Sequence, residues 1–130
     1  MAEASYPEDL KYHAEHDWAR IEGDEATLGI TWYAQDSLGE LVHFEPPEDG
    51  ATIAKDGAYG EVESVKAVSD LITPLSGEVL EVNARVVDEP EIVNADPYGE
   101  GWLIRIRLSD PTETEGLLDP DAYRKLIAEQ

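Results

Sequence analysis

Lys66 stands in the polar centre Glu63-Ser64-Val65-Lys66 of a segment, residues 58–73, whose remaining residues favour extended structure. A lysine offers a primary amine on a flexible stem. Where the chain folds back and lifts that amine clear of the body, it can be acylated and become a mobile arm. There is no cysteine. Disulfides, thiolate metal sites and a thiol nucleophile are therefore excluded, and any sulfur chemistry must arrive on a cofactor. The one other cluster with ligand-type side chains is His13, Glu15, His16 and Asp17. It lies on a coil-to-strand segment that lacks the helical spacing by which ligands converge, so no metal is expected there.

Short strands separated by turns must position Lys66. A single strand over residues 58–73 would exceed the usual three to ten residues, so a bend is required, and Val65-Lys66 is its natural place. No Asn-Gly or Gly-Gly marks that bend. Ala26-Thr27-Leu28-Gly29-Ile30 alternates as a half-buried strand, and Glu22-Gly23-Asp24 reads as the hairpin turn before it, with Ala19 and Ile21 on the preceding strand. Thr31 is placed to cap a short helix through Leu38, ended by Gly39. Leu41 to Phe44 reads as a strand closed by Pro46-Pro47-Glu48-Asp49-Gly50. From Trp102 to Leu108 the apolar residues alternate with Arg105 and Arg107, which predicts a further strand. Asp110-Pro111-Thr112-Glu113 carries a helix-start signal, and Asp119-Pro120 repeats it before an amphipathic helix over 120–129. Gly60-Glu61-Val62-x-x-Val65 recurs as Gly77-Glu78-Val79-x-x-Val82, an echo that suits two similar hairpins facing each other. The expected fold is α+β and mainly β: a sandwich of two small sheets with short peripheral helices and a C-terminal helix.

At 130 residues and 42% apolar the chain suits one domain over 1–130, with a core about 16–108 and a C-terminal helical segment about 110–129. Its 30 acids outnumber 9 bases, for a net charge of −21. Phosphate backbones and anionic membrane surfaces would be repelled, so neither nucleic acid nor membrane is an expected partner. The acids are scattered, as on a solvated surface. They serve solubility or salt adaptation, or they complement electropositive docking faces. No apolar run approaches a membrane span, and Met1 to Leu10 carries acids and no base. That start matches neither a signal peptide nor a transit peptide and predicts a cytoplasmic location of bacterial type, with a trimmed mitochondrial form as the alternative.

Glu63-Ser64-Val65-Lys66-Ala67-Val68-Ser69-Asp70 resembles the lipoyl-attachment segment of the glycine cleavage system H-protein family. The likeness continues in order along the chain. It includes His16-Asp17-Trp18, Gly29-Ile30-Thr31, Tyr33-Ala34-Gln35, Leu38-Gly39-Glu40, Ser76-Gly77-Glu78-Val79, Glu81-Val82-Asn83, and Asn94 through Trp102. Leu117-Leu118 and Ala122-Tyr123 close it.

The resemblance implies lipoic acid bound covalently as N6-lipoyl-lysine at Lys66, on a biotinyl/lipoyl-type sandwich. It implies a non-catalytic carrier rather than an enzyme. In the family the arm takes the aminomethyl group of glycine from a pyridoxal-phosphate glycine decarboxylase to a tetrahydrofolate-dependent aminomethyltransferase. Dihydrolipoyl dehydrogenase then reoxidises it, and lipoyl-attaching enzymes install it. By the same resemblance Glu63, Gly50 and Gly77 match positions linked to recognition by the attaching enzymes. Glu15, Asp17 and Asp70 match the cleft that holds the loaded arm, with Asp17 where glutamate is usual and Glu15 where a small polar residue is common. Trp32 stands where relatives often have an acid, and either a docking anchor or a packing residue suits it. Of the other arm carriers, a biotin carrier would flank its lysine with methionines, and the sole methionine is Met1. A lipoyl domain of a 2-oxoacid dehydrogenase would lead into a Pro/Ala-rich linker. A lipoyl relay donor for other lipoyl-dependent enzymes would share this sequence pattern and stands as the alternative.

Overall fold

Turn chemistry decides where each strand stops, and the strands then stack their apolar faces against each other. The computed structural model describes residues 5–129. The charge pattern read at residues 1–4 lies outside them. Among the described residues nine strands form two antiparallel sheets. The larger contains β1 (Lys11–Tyr12), β2 (Asp17–Glu22), β3 (Glu25–Ile30), β5 (Thr52–Ile53), β8 (Gly77–Val82) and β9 (Ile104–Leu108) in the order β1-β2-β3-β9-β8-β5. The smaller contains β4 (Leu41–Glu45), β6 (Ala58–Ser64) and β7 (Val68–Ile72) in the order β4-β6-β7. Ala26, Leu28, Val79, Ile104 and Ile106 from the first sheet meet Leu41, Phe44, Val62 and Leu71 from the second in one buried core. This is the expected sandwich, with sheets of unequal size. The two copies of the Gly-Glu-Val echo lie on β6 and β8, one in each sheet.

Helix α1 (Trp32–Leu38) begins where expected: Thr31 Oγ1 accepts from Ala34 N–H, and Gly39 closes the other end at φ +84°. Helix α4 (Pro120–Ala128) is capped by Asp119. It packs Tyr123 into a second core with Leu10, Tyr12, Trp18 and Tyr98. The Tyr123 hydroxyl meets Thr31 Oγ1 and His16 Nδ1, each at 2.8 Å, so α4 holds the start of β2 and the cap of α1 together. Trp32 is partly buried against this second core, which favours packing over docking as its role.

Two expectations change. The strand read from Trp102 begins only at Ile104. The Trp102 carbonyl is taken by Asn83 Nδ2 at 2.7 Å, and Leu103 is buried as well, so the alternation fails there. Residues 111–116 form a single 3-10 helix, because Glu113 does not fold back on its cap. Its carboxylate instead accepts from Ser76 N–H at 2.8 Å and Ser76 Oγ–H at 2.9 Å, tying this segment to the start of β8. Two further short helices, α2 (Ala84–Asp88) and α3 (Ile92–Ala95), interrupt the passage from β8 to β9. Asn83 caps α2 by accepting from Arg85 N–H.

Candidate functional site

Strands β6 and β7 pair from Ala58 to Ile72, and residues 65–67 form the bend between them. Ser64 builds that bend. Its Oγ accepts from Lys66 N–H at 3.2 Å and Ala67 N–H at 3.0 Å, and its own N–H donates to the Ala67 carbonyl at 2.8 Å. A serine hydroxyl here supplies what an Asn-Gly pair supplies in other hairpins. Lys66 stands exposed at the tip, as expected, and takes part in none of the ion pairs among the described residues. Val65, 73% exposed, and Val68, 60% exposed, flank it. A primary amine with no salt-bridge partner among the described residues, on a hydrogen-bonded hairpin tip, fits an acyl group delivered from solution.

The tip is also braced from below. Val65 N–H donates to the Glu40 carbonyl at 3.3 Å, and the Lys66 stem crosses Gly39, its Cε 3.5 Å from where a Cβ at that position would lie.

Glu63 is half-buried on β6 and pairs in register with Val68 on β7 and His43 on β4. Gly50 sits in an exposed turn at φ +84°, and its N–H donates to the Val79 carbonyl at 2.8 Å. Gly77 is buried at the start of β8, where an added Cβ would strike the Arg107 carbonyl oxygen. Backbone geometry thus accounts for both glycines locally, whatever an attaching enzyme reads.

The acids matched to the arm cleft are not alike. Glu15 and Asp70 are exposed, and Asp70 pairs in register with Glu61. Asp17, only 2% exposed, is enclosed, and its Oδ2 has no hydrogen-bond partner among the described residues. Burial, reinforced by the charge of Glu15, pushes the Asp17 carboxyl well above the usual carboxylate range. The equally enclosed Tyr59 hydroxyl lacks a partner too, and burial and then Asp17 push it upward. Sequence reasoning missed Tyr59, which carries only the signature of a core aromatic.

The sign of the linkage follows from that direction. A carboxyl whose folded pKa is raised binds more protons folded than unfolded, so its contribution to stability is full below about pH 4 and declines as pH rises toward the folded value. Asp17→Asn removes this dependence. At pH 7 the variant should be more stable than the parent, and the gap should close as pH falls to 4. Denaturant unfolding of both proteins at several pH values checks this; a gap that does not vary with pH would show that Asp17 titrates normally.

The histidines do not converge on a metal. His13 Nε2 meets Asp56 Oδ1 at 2.8 Å while His16 turns to Tyr123, and no group of three or more metal-ligating side chains occurs among the described residues. No helix among them is long and apolar enough to cross a membrane.

Comparison with known proteins agrees with this geometry. The family model described as "Glycine cleavage H-protein" matches residues 10–130. A glycine cleavage system H protein from Symbiobacterium thermophilum is 52% identical over 120 residues, covering 92% of this chain and 94% of its own. A probable one from Haloarcula marismortui is 49% identical over 121 residues, covering 93% and 95%. The crystal structure of a glycine cleavage system H protein from Mycobacterium marinum superimposes with a TM-score of 0.84 at 39% identity, covering 95% of this chain and 99% of that one. With its sandwich, its braced hairpin and these matches over nearly its whole length, the chain belongs to the glycine cleavage H-protein family.

Proposed function

We propose that this chain is the lipoyl carrier of a glycine cleavage system, with the arm attached to Lys66. The observation that carries the reading is the exposed Lys66 at the tip of the Ser64-braced hairpin, in a chain of this family. When bound, the lipoyl group supplies a disulfide/dithiol couple that can accept the aminomethyl group of glycine together with two electrons, and later give those electrons up on reoxidation. The protein's part is positional. The hairpin presents the amine to an attaching enzyme, and Glu63 on the outer face of β6 gives that enzyme a charge to read. Gly50 and Gly77 shape the turns and strand starts nearby. The absence of cysteine leaves the arm no thiol on its own carrier with which to exchange.

The partners in this reading are a pyridoxal-phosphate glycine decarboxylase, a tetrahydrofolate-dependent aminomethyltransferase, dihydrolipoyl dehydrogenase and the lipoyl-attaching enzymes, met in the cytoplasm. The chain carries and does not catalyse. Its net charge of −21 becomes one unit more negative when the Lys66 amine is converted to an amide.

Reconstitution tests the reading. Protein lipoylated in vitro and mixed with the three enzymes should support glycine-dependent reduction of NAD, while the unmodified protein should support none. Failure of the lipoylated protein with enzymes active toward another H-protein would refute it. In the same assay the carrier's association rate with the decarboxylase should fall as salt rises, because screening over roughly 10 Å at 0.1 M damps long-range steering. A salt-independent rate would assign the acids to solubility alone.

A further inference from the structure

Among the described residues four large apolar side chains are exposed, Val42, Val65, Val68 and Val87, and the first three share the end of the smaller sheet that carries Lys66. Val65 precedes the lysine at the tip, and Val68 opens β7. Val42, 48% exposed, is brought beside them by two features of β4. The Glu40 carbonyl holds Val65 N–H, which sets the start of β4 against the tip. The register then shifts between Leu41 and His43, a bulge that leaves both Val42 and His43 exposed. None of the three valines belongs to either core. A threonine would keep the same branched shape and strand preference on a wet face, so the fold supplies no reason for valine there. Apolar side chains gathered at one exposed spot, rather than scattered singly, mark a surface that something covers.

Behind the valines the same face carries a row of like charges. Glu45, Glu61 and Asp70 stand directly opposite one another across β4, β6 and β7. Like charges in register destabilise a sheet. Glu61 and Asp70 enter none of the ion pairs among the described residues, and Glu45 meets only the exposed His43, at 3.2 Å. The fold alone disfavours this row, and a basic partner surface would offset the repulsion. The reach of the amine selects the partner. An extended lysine places Nζ roughly 6 Å from its own Cα. An enzyme that acylates Nζ must therefore close over the tip and touch the face around it. In that step the neutral Nζ attacks the carbonyl of an activated lipoyl acyl group held by the enzyme. The amide C–N bond forms, the bond to the leaving group breaks, and a proton leaves the nitrogen. Enzymes that act on the far end of the finished arm work at roughly twice that distance and need not touch this face.

We propose that the outer face of the smaller sheet is the docking surface for the enzyme that acylates Lys66, with Val42, Val65 and Val68 seated in an apolar recess of that enzyme and Glu45, Glu61 and Asp70 facing its basic rim. This rests on the carrier reading above and says what one partner touches. The test uses the full chain with lipoate, ATP and a lipoyl-attaching enzyme, and follows intact mass. In Val42→Thr/Val68→Thr, kcat/KM for attachment should fall about tenfold, through KM rather than kcat, because two methyl groups buried on docking become hydroxyls. Glu61→Gln should unfold at a higher temperature than its parent, since it relieves the charge row. It should nonetheless lose attachment rate severalfold at low salt and respond less steeply to added salt. Once fully lipoylated by prolonged incubation, both variants should be reduced by dihydrolipoyl dehydrogenase and NADH at the parent rate. Attachment at the parent kcat/KM in either variant, or an equal loss in the reduction assay, would overturn the docking surface and leave the carrier reading standing. A parent chain that gains no lipoyl mass would instead sink the carrier reading, and this surface with it.

Discussion

Lys66→Arg should abolish both lipoylation and glycine-dependent reduction of NAD, while leaving the fold and its stability unchanged. The reason is chemical. Attachment needs a neutral amine to attack an activated acyl group, and a lysine can lose its proton inside an attaching enzyme. A guanidinium stays protonated under all such conditions and spreads its charge over the planar fork, so it offers no comparable nucleophile. The substitution keeps the charge and most of the stem, and Lys66 is exposed, so the core has no reason to respond.

Lys11, Lys55 and Lys125 are the other lysines, and none shares the setting. Lys11 lies on the short edge strand β1 and Lys125 on the surface of α4. Lys55 is partly buried with its backbone N–H bonded to Ser76 Oγ at 2.8 Å. Intact mass after treatment with a lipoyl-attaching enzyme measures the outcome. A lipoyl adduct on the arginine variant would move the attachment to one of these three and would leave the Ser64-braced hairpin without a purpose.

How far the sequence reveals this arrangement depends on the range of the interactions. Strands and caps that answer to local pattern are legible. Thr31 and Asp119 cap α1 and α4 as read, and the turn at Gly23 falls between β2 and β3. The bend at Lys66 is deducible only because a strand through residues 58–73 would be too long. Its builder, Ser64, looks like any strand serine until the chain has already turned. Asn83 is similar: one amide caps α2 and also collects the carbonyls of Glu100 and Trp102, which no local window contains. Glu113 reads as a helix-start residue, yet its partner Ser76 lies on the other side of the sequence. The burial of Asp17 is the sharpest case. Its polar neighbours suggest a wet segment, whereas α4 closes over the adjacent Thr31 and His16 through Tyr123.

Gly77→Ala separates what a residue does for the fold from what it does for a partner. The glycine opens β8 and pairs with both Ile53 on β5 and Leu108 on β9. An alanine Cβ would run into the Arg107 carbonyl oxygen and come within 3.1 Å of Ile106 Cδ1. Ile106 could shift its terminal methyl group at small cost, but Arg107 is a backbone obstacle in the ladder between β8 and β9, near the centre of the larger sheet. Relief requires the two strands to part locally and weaken that ladder. Overpacking of this kind costs about 3 kcal/mol, the upper end of its usual range, because no side-chain rotation removes it. For a domain of this size the midpoint of thermal unfolding should drop by about 10 °C. If Gly77 matters to attachment only through the sheet, the folded fraction of the variant should be lipoylated at close to the parent rate well below its midpoint. If an attaching enzyme reads the bare backbone at Gly77, that rate should fall even where the variant is fully folded. A variant as stable as its parent would show that β8 and β9 part more easily than the packing around Arg107 implies.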